Sequence, residues 1–227
     1  MEERTESILE AVVREFIETG EPVSSGSLFD RYDFGIRPAM IRAELNDLTE
    51  RGYLEQPHHS GGRVPKSRAF EFFASHVLAR ATENEEGPAP FAKLCARHMW
   101  EELAEELSDE LGMLGAVGAF PPGVIYKEGL HELINRLDWE SRSEVQSVIR
   151  DFEEFDERVG RALTMFGNEP DLKVFIGKKS PVTKSENLSV MVQSHEADGE
   201  RVFFFAIGPR RMDYEKAARV LKGLGSD

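Results

Sequence analysis

The stretch from Ile36 to Phe73, IRPAMIRAELNDLTERGYLEQPHHSGGRVPKSRAFEFF, limits most sharply what this chain can fold into. It reads as a short helix with one apolar stripe, a small β-hairpin with a basic tip, and another helix. At about 100° per residue, Leu45 and Leu48 fall within roughly 40° of Ile41 and form one buried stripe. Ala39, Ala43 and Asn46 lie opposite, where small or amide side chains leave room for close approach. A helix buried on one side, smooth on the other and followed by a cationic hairpin can lie in a DNA groove. That is the winged helix-turn-helix pattern.

The flanking sequence supports the same arrangement. Residues 4–19 place Ile8, Val12, Phe16 and Ile17 on one face of a helix that Gly20 ends. Ser24 or Ser25 can cap a short helix running through Tyr32, with Leu28 and Phe29 directed to the core. Asp33-Phe34-Gly35 makes a turn, and Pro38 sits in the first turn of the next helix, where its missing N–H costs nothing. That helix stops at Gly52. Strands follow at 53–56 and 63–65 around the turn 57–62, then a helix over 68–82.

Residues 84–90, polar and broken by Pro88 and Pro90, read as a linker. Beyond it the patterns predict a long helix over 91–111, strands at 116–120 and 124–126, and a short helix at 128–137. A second long helix, 141–166, would be built on Val145, Ile149, Phe152, Phe155 and Val159. Strands at 172–176, 188–193 and 201–207 and a helix at 214–224 complete the chain. The fold class is therefore α+β. A winged helix-turn-helix domain occupies 1–83, a linker 84–90, and an α+β domain with long helices 91–227.

Charge is segregated rather than uniform. The net charge of −14 excludes a protein that coats nucleic acid through bulk electrostatics, but a DNA footprint is local. Between Gly52 and Arg68 the chain carries Arg63, Lys66 and Arg68 against Glu55, while the acid concentrates in 83–110. No apolar run approaches the roughly 18 residues of a membrane span. The charged start MEERTESILE does not read as a signal peptide, and the single Cys95 excludes an internal disulfide framework, so a cytoplasmic location is expected. Cys95-x-x-His98 lacks the further ligands a zinc site needs. No catalytic constellation stands out, so no enzyme activity, metal or cofactor is expected.

Arg63, Lys66 and Arg68 are the candidate phosphate contacts, giving affinity and register without sequence reading; the alternative is a solvated basic turn. His58 and His59 can touch backbone or minor groove, or simply shape the hairpin whose tip is Ser60-Gly61-Gly62. Base reading falls to the N-terminal half of the helix, Arg37-Pro38-Ala39-Met40. Arg37 and Arg42 can contact guanine bidentately, Asn46 can address adenine, and Ala39, Met40 and Ala43 can meet thymine methyls. A salt bridge from Arg42 to Glu44 or Asp47 is the competing use of that arginine. Asp47 and Glu50 lie toward the far end and would repel phosphate, so the helix should enter the groove by its N-terminus.

Two motifs carry a family resemblance. The wing, Gly52-Tyr53-Leu54-Glu55-Gln56-Pro57-His58 through Ser60-Gly61-Gly62-Arg63-Val64-Pro65, and the distal Ile207-Gly208-Pro209-Arg210-Arg211-Met212-Asp213-Tyr214 resemble the heat-inducible transcription repressor HrcA family. Gly20 to Ser25, Ile41-Arg42, Leu107-Ser108 and Lys127 to Leu130 match its order of motifs. The resemblance implies a repressor of heat-shock and chaperone genes that binds an inverted-repeat operator on double-stranded DNA as a homodimer and is kept active by a GroEL-type chaperonin. It implies a fold with a winged helix and a GAF-like domain, here reduced because the chain is short between Phe120 and Lys127. The family's usual Ser-x-Ala-Thr-Ile-Arg-Asn becomes Arg37-Pro38-Ala39-Met40-Ile41-Arg42-Ala43, which changes the reading end of the helix. Two alternatives remain: a winged-helix module that docks protein, and a regulator of a different regulon. The Ile207–Tyr214 motif also reads physically as a strand-to-helix corner in which Asp213 caps the last helix.

Overall fold

Helix α1 (Glu3–Thr19) ends where Gly20 takes a left-handed conformation and its N–H closes on the Phe16 carbonyl. In the computed structural model the described residues are 1–58, 61–81, 89–121, 123–137, 142–166, 171–197 and 199–224. They fall into two units, Met1–His76 and Val77–Asp227. The greater part of the expected linker, 84–88, lies outside the described residues.

In the first unit, α2 (Ser25–Arg31) opens with a reciprocal cap between Ser24 and Ser27, each backbone N–H reaching the other's hydroxyl. It buries Leu28 but leaves Phe29 48% exposed, so Phe29 is not the core contact expected of it. Adjacent helical residues point about 100° apart, and this seven-residue helix turns its Leu28 side to the core. Helix α3 (Pro38–Glu50) buries Ile41, Leu45 and Leu48. It ends in a Schellman turn: Gly52, at φ 75°, donates to the Thr49 carbonyl and Tyr53 to that of Leu48.

The hairpin strands β1 (Leu54–Glu55) and β2 (Val64–Pro65) are antiparallel, with Leu54 opposite Pro65. They are shorter than expected because Arg63 pairs elsewhere, exchanging two backbone hydrogen bonds of 2.9 and 2.7 Å with Val23. Gly62 is required by that stitch, since a Cβ there would lie 2.5 Å from the Pro22 carbonyl oxygen. Helix α4 (Ser67–Arg80) follows.

The second unit is built on an antiparallel sheet of β3 (Leu114–Phe120), β4 (Val124–Glu128), β5 (Leu172–Ile176), β6 (Leu188–Ala197) and β7 (Glu200–Pro209), in the order β4-β3-β7-β6-β5. Helices α5 (Ala89–Cys95), α6 (Trp100–Leu111) and α10 (Tyr214–Leu224) pack together, α6 and α10 against the sheet. Helices α7 (Leu130–Arg136), α8 (Arg142–Glu153) and α9 (Phe155–Ala162) contribute Leu133, Val148, Phe155 and Val159 to a core with Ala116, Val190, Val192, Phe203 and Phe205.

Both long helices predicted from the sequence are broken. The 91–111 stretch splits into α5 and α6 at 96–99, where His98 adopts φ 54° and its ring stacks on Trp100 at 5.2 Å. The 141–166 stretch splits at Glu154 without losing its phase: Val148, Phe155 and Val159 share one helical face and reach the core, while Ile149 stays 39% exposed. Beside the second break lies a buried polar cluster. Buried Asp151 accepts hydrogen bonds from Arg158 and from the Lys184 and Ser185 N–H groups, drawing the 180–187 segment onto the helices. At the Ile207–Tyr214 corner, Asp213 caps α10 by accepting from the Lys216 N–H, and buried Tyr214 donates to the Arg210 carbonyl.

Candidate nucleic-acid interface

The exposed side of α3 carries the residues expected to read bases. Pro38 fixes the first helical turn, which places Arg37 at the N-cap and Ala39, Met40, Arg42, Ala43 and Asn46 in solvent, with Met40 49% exposed. The opposite stripe is held in the core by Ile41, Leu45 and Leu48, so the helix cannot roll without losing burial.

Two of the three acidic residues of α3, Glu44 and Asp47, are occupied, and Glu50 lies exposed at its C-terminal end. Glu44 accepts from Arg4 at 3.2 Å and Thr5 at 2.8 Å, and Asp47 accepts from Arg51 at 3.0 Å. Neither carboxylate pairs with Arg42, so the competing salt bridge is not formed. Among the described residues the side chains of Arg37, Arg42 and Lys66 enter no hydrogen bond or ion pair. Arg68 lies over the Tyr53 ring at 4.3 Å and donates to the Arg51 carbonyl, so its charge is anchored yet exposed.

Arg63 stands elsewhere than expected. It is only 9% exposed. Its guanidinium donates to Asn46 Oδ1 at 2.6 Å, Thr49 Oγ1 at 3.1 Å and the Gly61 carbonyl at 3.4 Å. Burial, and secondarily the neighbouring Arg42 charge, pull its pKa below the usual arginine value. An outward phosphate contact is therefore corrected to an inward connection between hairpin and helix. The reason is local: the backbone stitch to Val23 turns the Arg63 side chain toward α3. Arg63 and Asn46 also line a cleft of about 500 Å³ with Ser24, Arg42, Gln56 and Gly62.

At the hairpin tip, His58 is exposed and its carbonyl accepts from the Gly61 N–H at 2.8 Å, which closes the turn. His59 and Ser60 lie outside the described residues. Gly61 is exposed, whereas Gly62 faces the protein's own Pro22–Val23 backbone rather than a partner. Thr49 takes part in this surface without having been singled out from the sequence, and Ser24 and Gln56, read there as a helix cap and as part of the wing, line its cleft. Asn46 and Thr49, three apart on one helix face, were the available sign that one guanidinium could bridge both.

Elsewhere, no group of three or more His, Cys, Asp or Glu side chains suited to a metal occurs among the described residues. Nor is any described helix long and apolar enough to cross a membrane. Burial pushes the Cys95 thiol up to about 11.

Comparison with known proteins bears on the whole chain. A solved crystal structure described only as a hypothetical protein superposes with a TM-score of 0.73 over 99% of this chain and 95% of its own, at 15% identity. That likeness speaks for a shared α+β fold alone. The heat-inducible transcription repressor HrcA of Desulforamulus reducens is 34% identical over 52% of this chain and 33% of its own length. That of Moorella thermoacetica is 43% identical over 38% of this chain and 26% of its own. The matches thus span a third or less of those relatives. Residues 78–218 match the HrcA protein C terminal domain, from the end of α4 into α10. With well over half of its length matched in this way, the chain belongs to the HrcA family.

Proposed function

We propose that this protein is a sequence-specific DNA-binding transcriptional repressor of heat-shock and chaperone genes. In this reading the first unit is a winged helix-turn-helix: α3 is the recognition helix, entering the major groove by its N-terminal end, and the β1–β2 hairpin is the wing. The carrying observation is electrostatic. Arg37, Arg42 and Lys66 are left without ionic partners beside a helix whose Glu44 and Asp47 are already occupied. Arg37, Pro38, Ala39, Met40, Arg42 and Ala43 form the reading end; His58, Lys66 and Arg68 contact the phosphate backbone, and His59, Ser60 and Gly61 belong to the same set of DNA contacts. The second unit is the GAF-like part of the molecule, and a homodimer places two recognition helices on an inverted repeat. Regulation by a GroEL-type chaperonin belongs to the same proposal.

Mobility shift with promoter DNA of the chaperone operons, at two salt concentrations, tests this. Preference for an inverted repeat over random duplex is expected, and equal binding to both would sink the operator assignment. Exposed Phe29 and Met40 favour a second reading, a protein-docking module. Arg42→Glu with Lys66→Glu separates the two, because reversal of charge abolishes DNA binding and leaves an apolar contact in place.

A further inference from the structure

Arginine offers hydrogen-bond donors and no acceptor, so an amide facing it must turn its oxygen inward. Asn46 does so at 2.6 Å from Arg63. The Thr49 hydroxyl donates to the Leu45 carbonyl at 2.7 Å, which leaves its oxygen to accept from Arg63 Nε at 3.1 Å. The guanidinium is thereby fixed at both ends of its fork. Its own backbone is pinned to Val23 by two hydrogen bonds and by the close approach at Gly62. Asn46 is itself exposed, and with its oxygen turned to Arg63 the group it has left to offer a partner is its NH₂, a donor.

We propose that Arg63 is a positioning residue of the reading face, which holds Asn46 as a hydrogen-bond donor toward the groove and so selects a base whose major-groove edge offers acceptors. Guanine presents O6 and N7, and thymine presents O4. Adenine presents N7 as its one acceptor there and pairs best with an amide that donates to N7 while accepting from N6–H; with the Asn46 oxygen turned to Arg63, that second bond is out of line. The inference rests on the DNA-binding reading above and sharpens it: Asn46, expected to address adenine, addresses guanine or thymine, and Arg63 acts through it without touching phosphate.

The test is selection from a randomised duplex pool by the full chain, paired with the salt dependence of binding. Wild type selects guanine or thymine at one position of each half-site. Asn46→Ala and Arg63→Gln both erase the preference at that same position, and the double variant adds nothing further. Lys66→Gln keeps every preference but lowers the slope of log K against log salt by about 0.9, the mark of one lost phosphate contact. Arg63→Gln leaves that slope unchanged. If Arg63→Gln lowers the slope as Lys66→Gln does and spares the base preference, Arg63 is a phosphate contact and the inference is wrong. Adenine at the Asn46-dependent position overturns the assigned orientation. Hydrogen exchange at the Val23 and Arg63 amides without DNA separates the two levels. Faster exchange in Arg63→Gln, with no sequence selected by wild type, refutes the DNA reading while leaving the internal connection standing. Unchanged exchange refutes the connection itself.

Discussion

Asp151 is the residue whose removal should most damage the second unit. Its side chain is 3% exposed, and it receives Arg158 Nη1 at 2.5 Å, the Lys184 N–H at 2.8 Å and the Ser185 N–H at 2.8 Å. Asp151→Ala leaves a largely buried guanidinium without that partner and two backbone donors unpaired. Breaking a buried ion pair from one side costs about 3–5 kcal/mol, and an unpaired buried N–H about 1–3 kcal/mol. Glu154 still accepts from Arg158 at 2.6 Å, and water can reach the loosened 180–187 segment, so the total should stay near about 4 kcal/mol rather than the full sum. For a unit of this size that is a fall in melting temperature of roughly 10 °C. Circular dichroism during thermal and urea unfolding measures it. Asp151→Asn, which keeps an acceptor, should cost about half as much. Adding Arg158→Met to Asp151→Ala should recover part of the loss, because no unpaired charge then remains. A cost below about 1 kcal/mol for Asp151→Ala, or strict additivity in the double variant, would refute the reasoning.

Gly62→Ala should destabilise the first unit by about 2 kcal/mol through overlap with the Pro22 and Val23 carbonyls, whereas Gly61→Ala, with its nearest neighbour at 3.2 Å, should cost less than about 1 kcal/mol; paired thermal melts decide. Tyr214→Phe strands the buried Ser189 hydroxyl and the Arg210 carbonyl, and a loss of about 2 kcal/mol should appear in urea unfolding. The Cys95 thiol, raised to about 11 because burial disfavours the thiolate, should react with a disulfide reagent at pH 8 about a hundredfold more slowly than a free cysteine. Its rate should keep climbing as pH rises toward that value, and a plateau near pH 9 would contradict it. If Arg37, Arg42, Lys66 and Arg68 each neutralise one phosphate, log K against log salt should fall with a slope of about −3 to −4 per chain, read by fluorescence anisotropy.

What was legible in the sequence was local chemistry. Pro38 and Gly52 bracket α3, the period of Ile41, Leu45 and Leu48 assigns its buried face, and the apolar run at Leu172–Ile176 and the amphipathic pattern of Tyr214–Leu224 match their observed bounds. What escaped were features decided by distant partners. Asp151 turns inward to a segment some 30 residues later, and an aspartate on a charged helix carries no local sign of that. Strand β6 runs on to Ala197 because its partner β7 continues opposite it, from Ala197↔Glu200 inward, although Ser194 to Glu196 are polar. At the interface, the exposed α3 residues were legible from the helical wheel. The inward course of Arg63 was not, because an arginine between Gly62 and Val64 reads as a solvent-facing cation until the Val23 stitch is known.

These features together explain how an acidic chain can present a cationic surface. The exposed acids of α6, at Glu101, Glu102, Glu105, Glu106, Asp109 and Glu110, belong to the second unit, whereas in the first unit Glu44 and Asp47 of α3 are paired. Glu44 and Asp47 would otherwise lie within a Debye length of Arg42, about 8–10 Å at physiological salt, and would cancel it. Because Arg4, Thr5 and Arg51 engage them, the field at the N-terminal half of α3 is set by Arg37 and Arg42. Net charge therefore governs solubility and non-specific binding here. Local pairing decides which surface is left cationic, and under the proposed DNA reading the placement of Arg63 decides which donor faces a base.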